Sequence, residues 1–204
     1  MYKCDLQSLE ELLRTFKIPR YSTVIVHSSL FRFGVIDGGI NAFYNVLKNV
    51  FDETNTIIMP TFTFSFSQNR VWNCINTKSE TGALTEYMRS LHPINRSINP
   101  FHSVVVEGPN KDYLLSSIAT SSFGENSVFE KLSELGAYNL SIGSEFIGGA
   151  TFCHYAEELL KVPYRYYKSF PGKVIDQENM EIDFDFKMYV RYIEENYYYD
   201  NDWN

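Results

Sequence analysis

Four short runs of β-branched and apolar residues punctuate the chain: "TVIV" at 23–26, "TIIMP" at 56–60, "SVVVEG" at 103–108 and "YNLSIGS" at 138–144. The first and third read as short buried strands, and the second and fourth as further strands. Segments of helical period lie between them. Asp5 can cap a first helix whose Leu6, Leu9, Leu12, Leu13 and Phe16 share one face and which ends before Pro19. In "INAFYNVLKNVF", Phe43, Leu47, Val50 and Phe51 recur at helical spacing; "ALTEYMRSL" and "KDYLLSSIA" read as further helices. "SVFEKLSELG" carries a capping box, Ser127 with Glu130, and a stop at Gly136. "TFCHYAEELLK" is helical up to Pro163. "KVIDQENMEIDFDF" alternates apolar and polar residues about Gln177, Glu178 and Asn179, which predicts a hairpin. Strands alternating with helices predict a layered α/β/α domain with a central mixed sheet and a C-terminal β-hairpin/helix extension. We expect one domain over 1–204, with a core at 1–165 and an extension at 166–204.

Charge and cysteine usage narrow the partners. The formal net charge is −7 and no basic stripe appears, which argues against a nucleic-acid binder. No apolar run approaches the roughly 18–20 residues that span a bilayer, so no membrane partner is expected. The first residues carry Asp5, Glu10 and Glu11 where a secretory signal needs an apolar stretch. Cys4, Cys74 and Cys153 are far apart and odd in number, so neither a disulfide framework nor a metal site is expected. A reduced, cytoplasmic protein is the simplest reading; a homo-oligomer stays open.

In open α/β sheets ligands bind beyond the carboxyl ends of strands. The first strand ends there in His27-Ser28-Ser29, followed by Leu30, and the second in Pro60, Thr61 and Thr63. The loop before the third supplies Arg96, Ser97, Phe101, His102 and Ser103, in "RSINPFHS". Backbone amides, hydroxyls and one arginine can hold phosphate oxygens without a Walker-type loop. The same serines and threonines also serve as helix and turn caps. On the helix "TFCHYAEELLK", His154 shares a face with Glu157 and Glu158, three and four residues on. A carboxylate on one imidazole nitrogen fixes the tautomer and makes the other nitrogen a general base. An acidic neighbour of a helical histidine is equally an ordinary helix pair.

Six segments in order, "VHSSLFRFG", "TIIMPTFTF", "SETGALTEYMRS", "RSINPFHSVVVEGP", "SSFGENSVFEKLSELG" and "TFCHYAEELLKVPYR", make the chain resemble the aminoglycoside 3-N-acetyltransferase family. These are acetyl-CoA-dependent enzymes that modify the 3-amino group of 2-deoxystreptamine antibiotics. The resemblance implies a coenzyme channel lined by His27, Ser28, Ser29, Leu30, Thr61, Thr63, Arg96, Ser97, Phe101 and Ser103, with His102 and Ser103 near the thioester. It implies His154 as catalytic histidine, Glu157 as its carboxylate, and direct acetyl transfer in a ternary complex with acetyl-CoA as co-substrate and no metal.

Three departures qualify it. Asn99 stands where the family has a histidine, in His-Pro-x-His-Ser, so an ionisable role there is lost. The family's usual chain continues past residue 204, and that segment would help to cover the acceptor. The loop from Phe62 to Ser79 has no Asp or Glu but carries Arg70 and Lys78. If those charges face the acceptor, an amino sugar on a nucleotide carrier suits the site slightly better than a polycationic aminoglycoside. The competing expectations are a non-catalytic relative that binds CoA or a nucleotide, and an interaction protein using the aromatic tail "NYYYDNDWN".

Overall fold

The computed structural model describes residues 3–116, 119–144 and 150–192. The four predicted strands form one sheet. They are β2 (Thr23–Ser28), β4 (Thr56–Pro60), β6 (Val104–Glu107) and β7 (Tyr138–Ile142), arranged in the order β6-β4-β2-β7. β2 runs parallel to β4 and to β7, while β6 is antiparallel to β4, so the sheet is mixed. Alternate side chains feed two different cores, as the two-residue period of a strand requires. Val24, Val26, Ile57, Met59 and Val105 pack with α1 (Leu6–Thr15), α2 (Gly39–Val50) and α4 (Ala83–Leu91). Ile25, Ile58, Val104 and Val106 pack on the other face with α5 (Lys111–Leu115) and α6 (Val128–Glu134). Each fully buried Phe, Leu or Ile contributes roughly 1.5–3 kcal/mol of transfer free energy. The expected α/β/α layering is present.

Local signals act as their chemistry dictates. The Asp5 carboxylate accepts the backbone N–H groups of Gln7 and Ser8 at the start of α1. Ser127 Oγ accepts the N–H of Glu130, although the Glu130 carboxylate reaches back to Asn126 rather than to Ser127. Gly136, at φ +57°, closes α6: its N–H bonds Ser133 O and the next N–H bonds Leu132 O, a Schellman turn that needs left-handed backbone.

Three features differ from the expectation. β2 extends to Ser28, because His27 and Ser28 continue the ladder to Ser141 and Ile142 of β7. The segment after β4 is not a plain loop: it holds α3 (Phe66–Asn69) and β5 (Val71–Asn73). β5 pairs with a hairpin made of β8 (Arg165–Ile175) and β9 (Glu181–Arg191), longer than the apolar alternation suggested. β1 (Lys3–Cys4) and β3 (Val35–Ile36) form a separate parallel pair. The helix expected in the extension and the aromatic tail lie outside the described residues.

The hairpin is two-faced. Phe170, Val174 and Phe186 pack against Phe66, Trp72 and Phe101 in a third core. The alternate residues of β8, Arg165, Tyr167 and Ser169, lie opposite Arg191, Tyr189 and Lys187 of β9. That polar face meets the next helix, α7 (Cys153–Leu159).

Candidate active site

His154 is the second residue of α7 and leaves 42% of its side chain exposed. Its Nδ1 lies 2.6 Å from Glu157 Oε2. Arg165, delivered by β8, places Nη2 2.8 Å from the same oxygen, and the Tyr164 hydroxyl donates to Oε1 at 3.0 Å. Burial pushes the Glu157 carboxyl up, but the His154 bond, the Arg165 charge and the Tyr164 bond outweigh it and hold the group below its ordinary range. Glu157 is therefore an ionised acceptor. In the tautomer with its proton on Nδ1, His154 donates to Glu157 and leaves the Nε2 lone pair free; Arg165 Nη2 also lies 3.1 Å from Nδ1.

A cleft of about 630 Å³ opens beyond the carboxyl ends of β2 and β4. His27, Ser28, Ser29 and Leu30 line one wall; Pro60, Phe62 and Phe64 line another; Thr81, Gly82, Ala83 and Thr85 bring the N-terminus of α4 to it. Gly82 caps α4 without a side-chain bond, so the first N–H groups of a nine-residue helix lie at the cleft wall. Glu80 accepts the N–H groups of Phe64 and Ser65, which holds that turn at the rim. Thr151, one turn before His154, closes the far end. A row of rings connects the cleft and His154: Phe62 to His102 at 4.7 Å, His102 to Phe123 at 4.6 Å, and Phe123 to His154 at 5.5 Å between centroids.

The structure separates the predicted residues. His27, Ser28, Ser29 and Leu30 line the cleft. Thr61, Thr63, Arg96, Phe101 and Ser103 are buried and are not among the residues that line this cleft. The Arg96 guanidinium is spent on Thr61 O and Thr77 O, both at 2.5 Å, on Cys74 O, and on the Thr61, Thr63 and Ser103 hydroxyls, and it lies over the Trp72 ring. Ser97 Oγ accepts the Val104 N–H. Asn99 Oδ1 accepts the N–H groups of Phe101 and His102, so this side chain builds the turn that delivers His102. His102 is buried, and burial, followed by the nearby His154, lowers its pKa to about 3; burial lowers that of His27 to about 4. Both are neutral at ordinary pH, which makes His102 a hydrogen-bonding group rather than a cation.

Sequence reasoning missed Arg165 and Tyr164, because a residue reaching back from a hairpin to a helix leaves no local spacing signal. It also grouped Glu157 with Glu158, which the structure parts: Glu158 turns to Ser121 and Tyr167. Among the described residues no group of His, Cys, Asp and Glu is arranged to hold a metal ion.

Residues 25–201 match the family described as aminoglycoside 3-N-acetyltransferase. The chain belongs to this family. It is 29% identical over 182 residues to the SPbeta prophage-derived aminoglycoside N(3')-acetyltransferase-like protein YokD of Bacillus subtilis, a match covering 78% of this chain and 66% of that relative. The chain thus spans just under two thirds of that acetyltransferase-like protein. The crystal structure of YokD superposes with a TM-score of 0.77 at 26% identity, covering 92% of this chain and 82% of that one. A solved complex of AAC-IIIb with CoASH gives 0.80 at 18% identity, covering 93% and 77%, and AAC-VIa bound to sisomicin gives 0.78 at 17%, covering 92% and 76%. These last two share the acetyltransferase family's fold.

Proposed function

We propose that this chain transfers an acetyl group from acetyl-CoA to an amine carried by a sugar or aminocyclitol, directly and without an acyl-enzyme. The observation that carries the reading is the His154–Glu157–Arg165 arrangement beside a cleft at the strand ends. A sugar amine is mostly protonated near neutral pH. His154 Nε2 takes a proton from the ammonium, freeing the lone pair that attacks the thioester carbonyl, and Glu157 stabilises the imidazolium that forms; collapse of the tetrahedral intermediate breaks the C–S bond, and the CoA thiolate leaves as the thiol with the proton that the new amide nitrogen sheds. Glu157 is a positioning residue, since it acts through His154. The coenzyme occupies the cleft, its phosphates near the N–H groups of α4 and the hydroxyls of Ser28, Ser29 and Thr81. Its thioester end lies toward Thr151, and we assign the neutral His102, whose ring packs on Phe62 of the cleft wall, as the donor to the developing oxyanion. That AAC-IIIb, which shares the fold, binds CoASH supports acetyl-CoA as the co-substrate.

Two acceptor classes remain, an aminoglycoside and a nucleotide-linked amino sugar. The preference for the less cationic one rested on Arg70 and Lys78 facing the acceptor. Arg70 instead lies over the Phe170 ring, whose side chain belongs to the third core and not to the face that meets α7. The loop charge therefore gives little support to the nucleotide sugar. Thiol release from acetyl-CoA, compared between 2-deoxystreptamine antibiotics and amino-sugar nucleotides, tests the reading. Turnover with either class that His154→Ala abolishes while CoA still binds is the expected result; substantial turnover in that variant removes His154 from the role of base.

A further inference from the structure

The two imidazoles that the proposed transfer uses meet one ring. Phe123, in the loop that precedes α6, stands 4.6 Å from His102 and 5.5 Å from His154 between centroids. It is 5% exposed. Its ring also meets Phe129 at 4.7 Å, and Phe129 in turn meets Phe152. Phe123 thus belongs to the apolar core it shares with Ile25, Ile58 and Val128. The backbone that carries it is pinned on both sides. Before it, Ser121 Oγ donates to Glu158 Oε1 at 2.6 Å, and the Ser122 hydroxyl lies 3.5 Å from the Asn99 amide nitrogen. After it, a Cβ at Gly124 would stand 2.8 Å from Glu158 Oε1 and 3.1 Å from Ser121 Cβ, so the loop has no slack there. A ring held at interior packing density does not swing aside for a substrate.

The chemistry of the transfer says what lies against that ring. Under attack the thioester carbon turns tetrahedral, with oxygen, the incoming nitrogen, sulfur and the acyl chain as its four substituents. The oxygen is directed at His102, the nitrogen comes from the side of His154, and the sulfur leads back along the cleft. The acyl chain takes the fourth direction, onto the ring that both imidazoles touch. We infer that Phe123 is the floor of the acyl site and limits the length of the acyl group: an acetyl methyl fits against it, and a butyryl chain does not. This inference rests on the acetyl-transfer reading for its geometry and adds to it a donor specificity set by one side chain. The neighbours behind the ring are apolar, so truncating Phe123 opens a pocket suited to hydrocarbon rather than to water.

The test is calorimetric titration of the full chain with acetyl-CoA and with butyryl-CoA, without an acceptor. Thiol release is measured beside it, with 2-deoxystreptamine antibiotics and amino-sugar nucleotides as acceptors. The wild-type chain binds acetyl-CoA about tenfold or more tightly than butyryl-CoA, the discrimination that methylene-sized differences give in an apolar pocket. In Phe123→Ala the ratio of the two Kd values reverses, and in Phe123→Leu, which disturbs the core less, it falls toward one. Phe129→Leu loosens the same core one ring further back and keeps the wild-type ratio, because the Phe129 ring meets Phe123 and Phe152. A ratio of two Kd values from one preparation does not depend on its folded fraction. Equal wild-type Kd values, a ratio unchanged in both Phe123 variants, or one that shifts as far in Phe129→Leu overturns the acyl stop, even where thiol release is normal. Binding of neither thioester overturns both readings. A ratio that shifts as expected without thiol release on any of these amines sinks acetyl transfer and leaves the acyl stop standing.

Discussion

Glu157 Oε2 lies 2.6 Å from His154 Nδ1, and the Arg165 guanidinium reaches the same oxygen from a different element, 2.8 Å away. One carboxylate thus ties the helix that carries His154 to the hairpin that braces it. Glu157→Gln keeps the shape but presents an uncharged group to the imidazole and leaves Arg165 without its counter-charge. We expect kcat to fall about 10²-fold, within the range for losing assisted proton transfer, with little change in the Kd for CoA. Steady-state kinetics with coenzyme titration checks this; unaltered kcat would remove Glu157 from the machinery.

Two buried imidazoles set the acid limb of stability. The pKa of His27 is lowered to about 4 and that of His102 to about 3, against roughly 6.5 for an unfolded histidine. Between those values the unfolded chain binds protons that the folded chain refuses, so stability rises with pH across that window. Above about 6.5 neither residue contributes a slope; below it each removes up to ~1.4 kcal/mol per pH unit until its folded value is reached. Denaturant titrations at pH 7 and pH 5 measure the slope. His102→Phe, among the rings of Phe62 and Phe123, should flatten it by about one proton's worth.

Arg96 has no exposed surface, and desolvation lowers its pKa to about 10, which still leaves it charged at neutral pH. Backbone oxygens of Thr61, Cys74 and Thr77 and the face of Trp72 share that charge. Arg96→Met removes the donor to those carbonyls, of which Thr61 O alone keeps the Ser103 hydroxyl, and we expect a loss above ~3 kcal/mol in equilibrium unfolding. Arg96→Lys should recover only part, because an ammonium cannot reach all three carbonyls in one plane. If Arg96 instead touched the coenzyme, CoA affinity would fall in the folded fraction of either variant; we expect it to hold.

Three strands of the sheet were legible because they are runs of β-branched and apolar residues buried on both faces; β7, with Tyr138, Asn139 and Ser141 exposed, is the half-exposed one. Asp5, Ser127 and Gly136 were legible because caps are local chemistry. His154 and Glu157 were legible because three residues on a helix is a fixed distance. The third sheet was not. β5 has three residues and finds its partner about a hundred positions away, so nothing near "VWN" announces it. The partners of Arg96 were not legible for the same reason: its oxygens arrive from Thr61, Cys74 and Thr77, and only the fold brings them together.

That long-range clamp makes the last prediction. Gly172 sits where β8 crosses β5; a Cβ there would stand 2.6 Å from Arg70 O and 2.6 Å from the Phe66 ring. Arg70 O is already fixed, accepting the Lys173 N–H at 2.7 Å, so backbone cannot move away without breaking the pairing. Gly172→Ala should cost about 1–3 kcal/mol through overpacking. The same strand begins at Arg165, which holds Glu157, so a hairpin displaced from the third core also loosens the carboxylate. We expect kcat to fall in Gly172→Ala at temperatures well below its Tm, although the substitution is far from His154 in sequence. A variant that loses Tm yet keeps full kcat would mean that Arg165 is anchored by α7 alone, independently of how the hairpin packs.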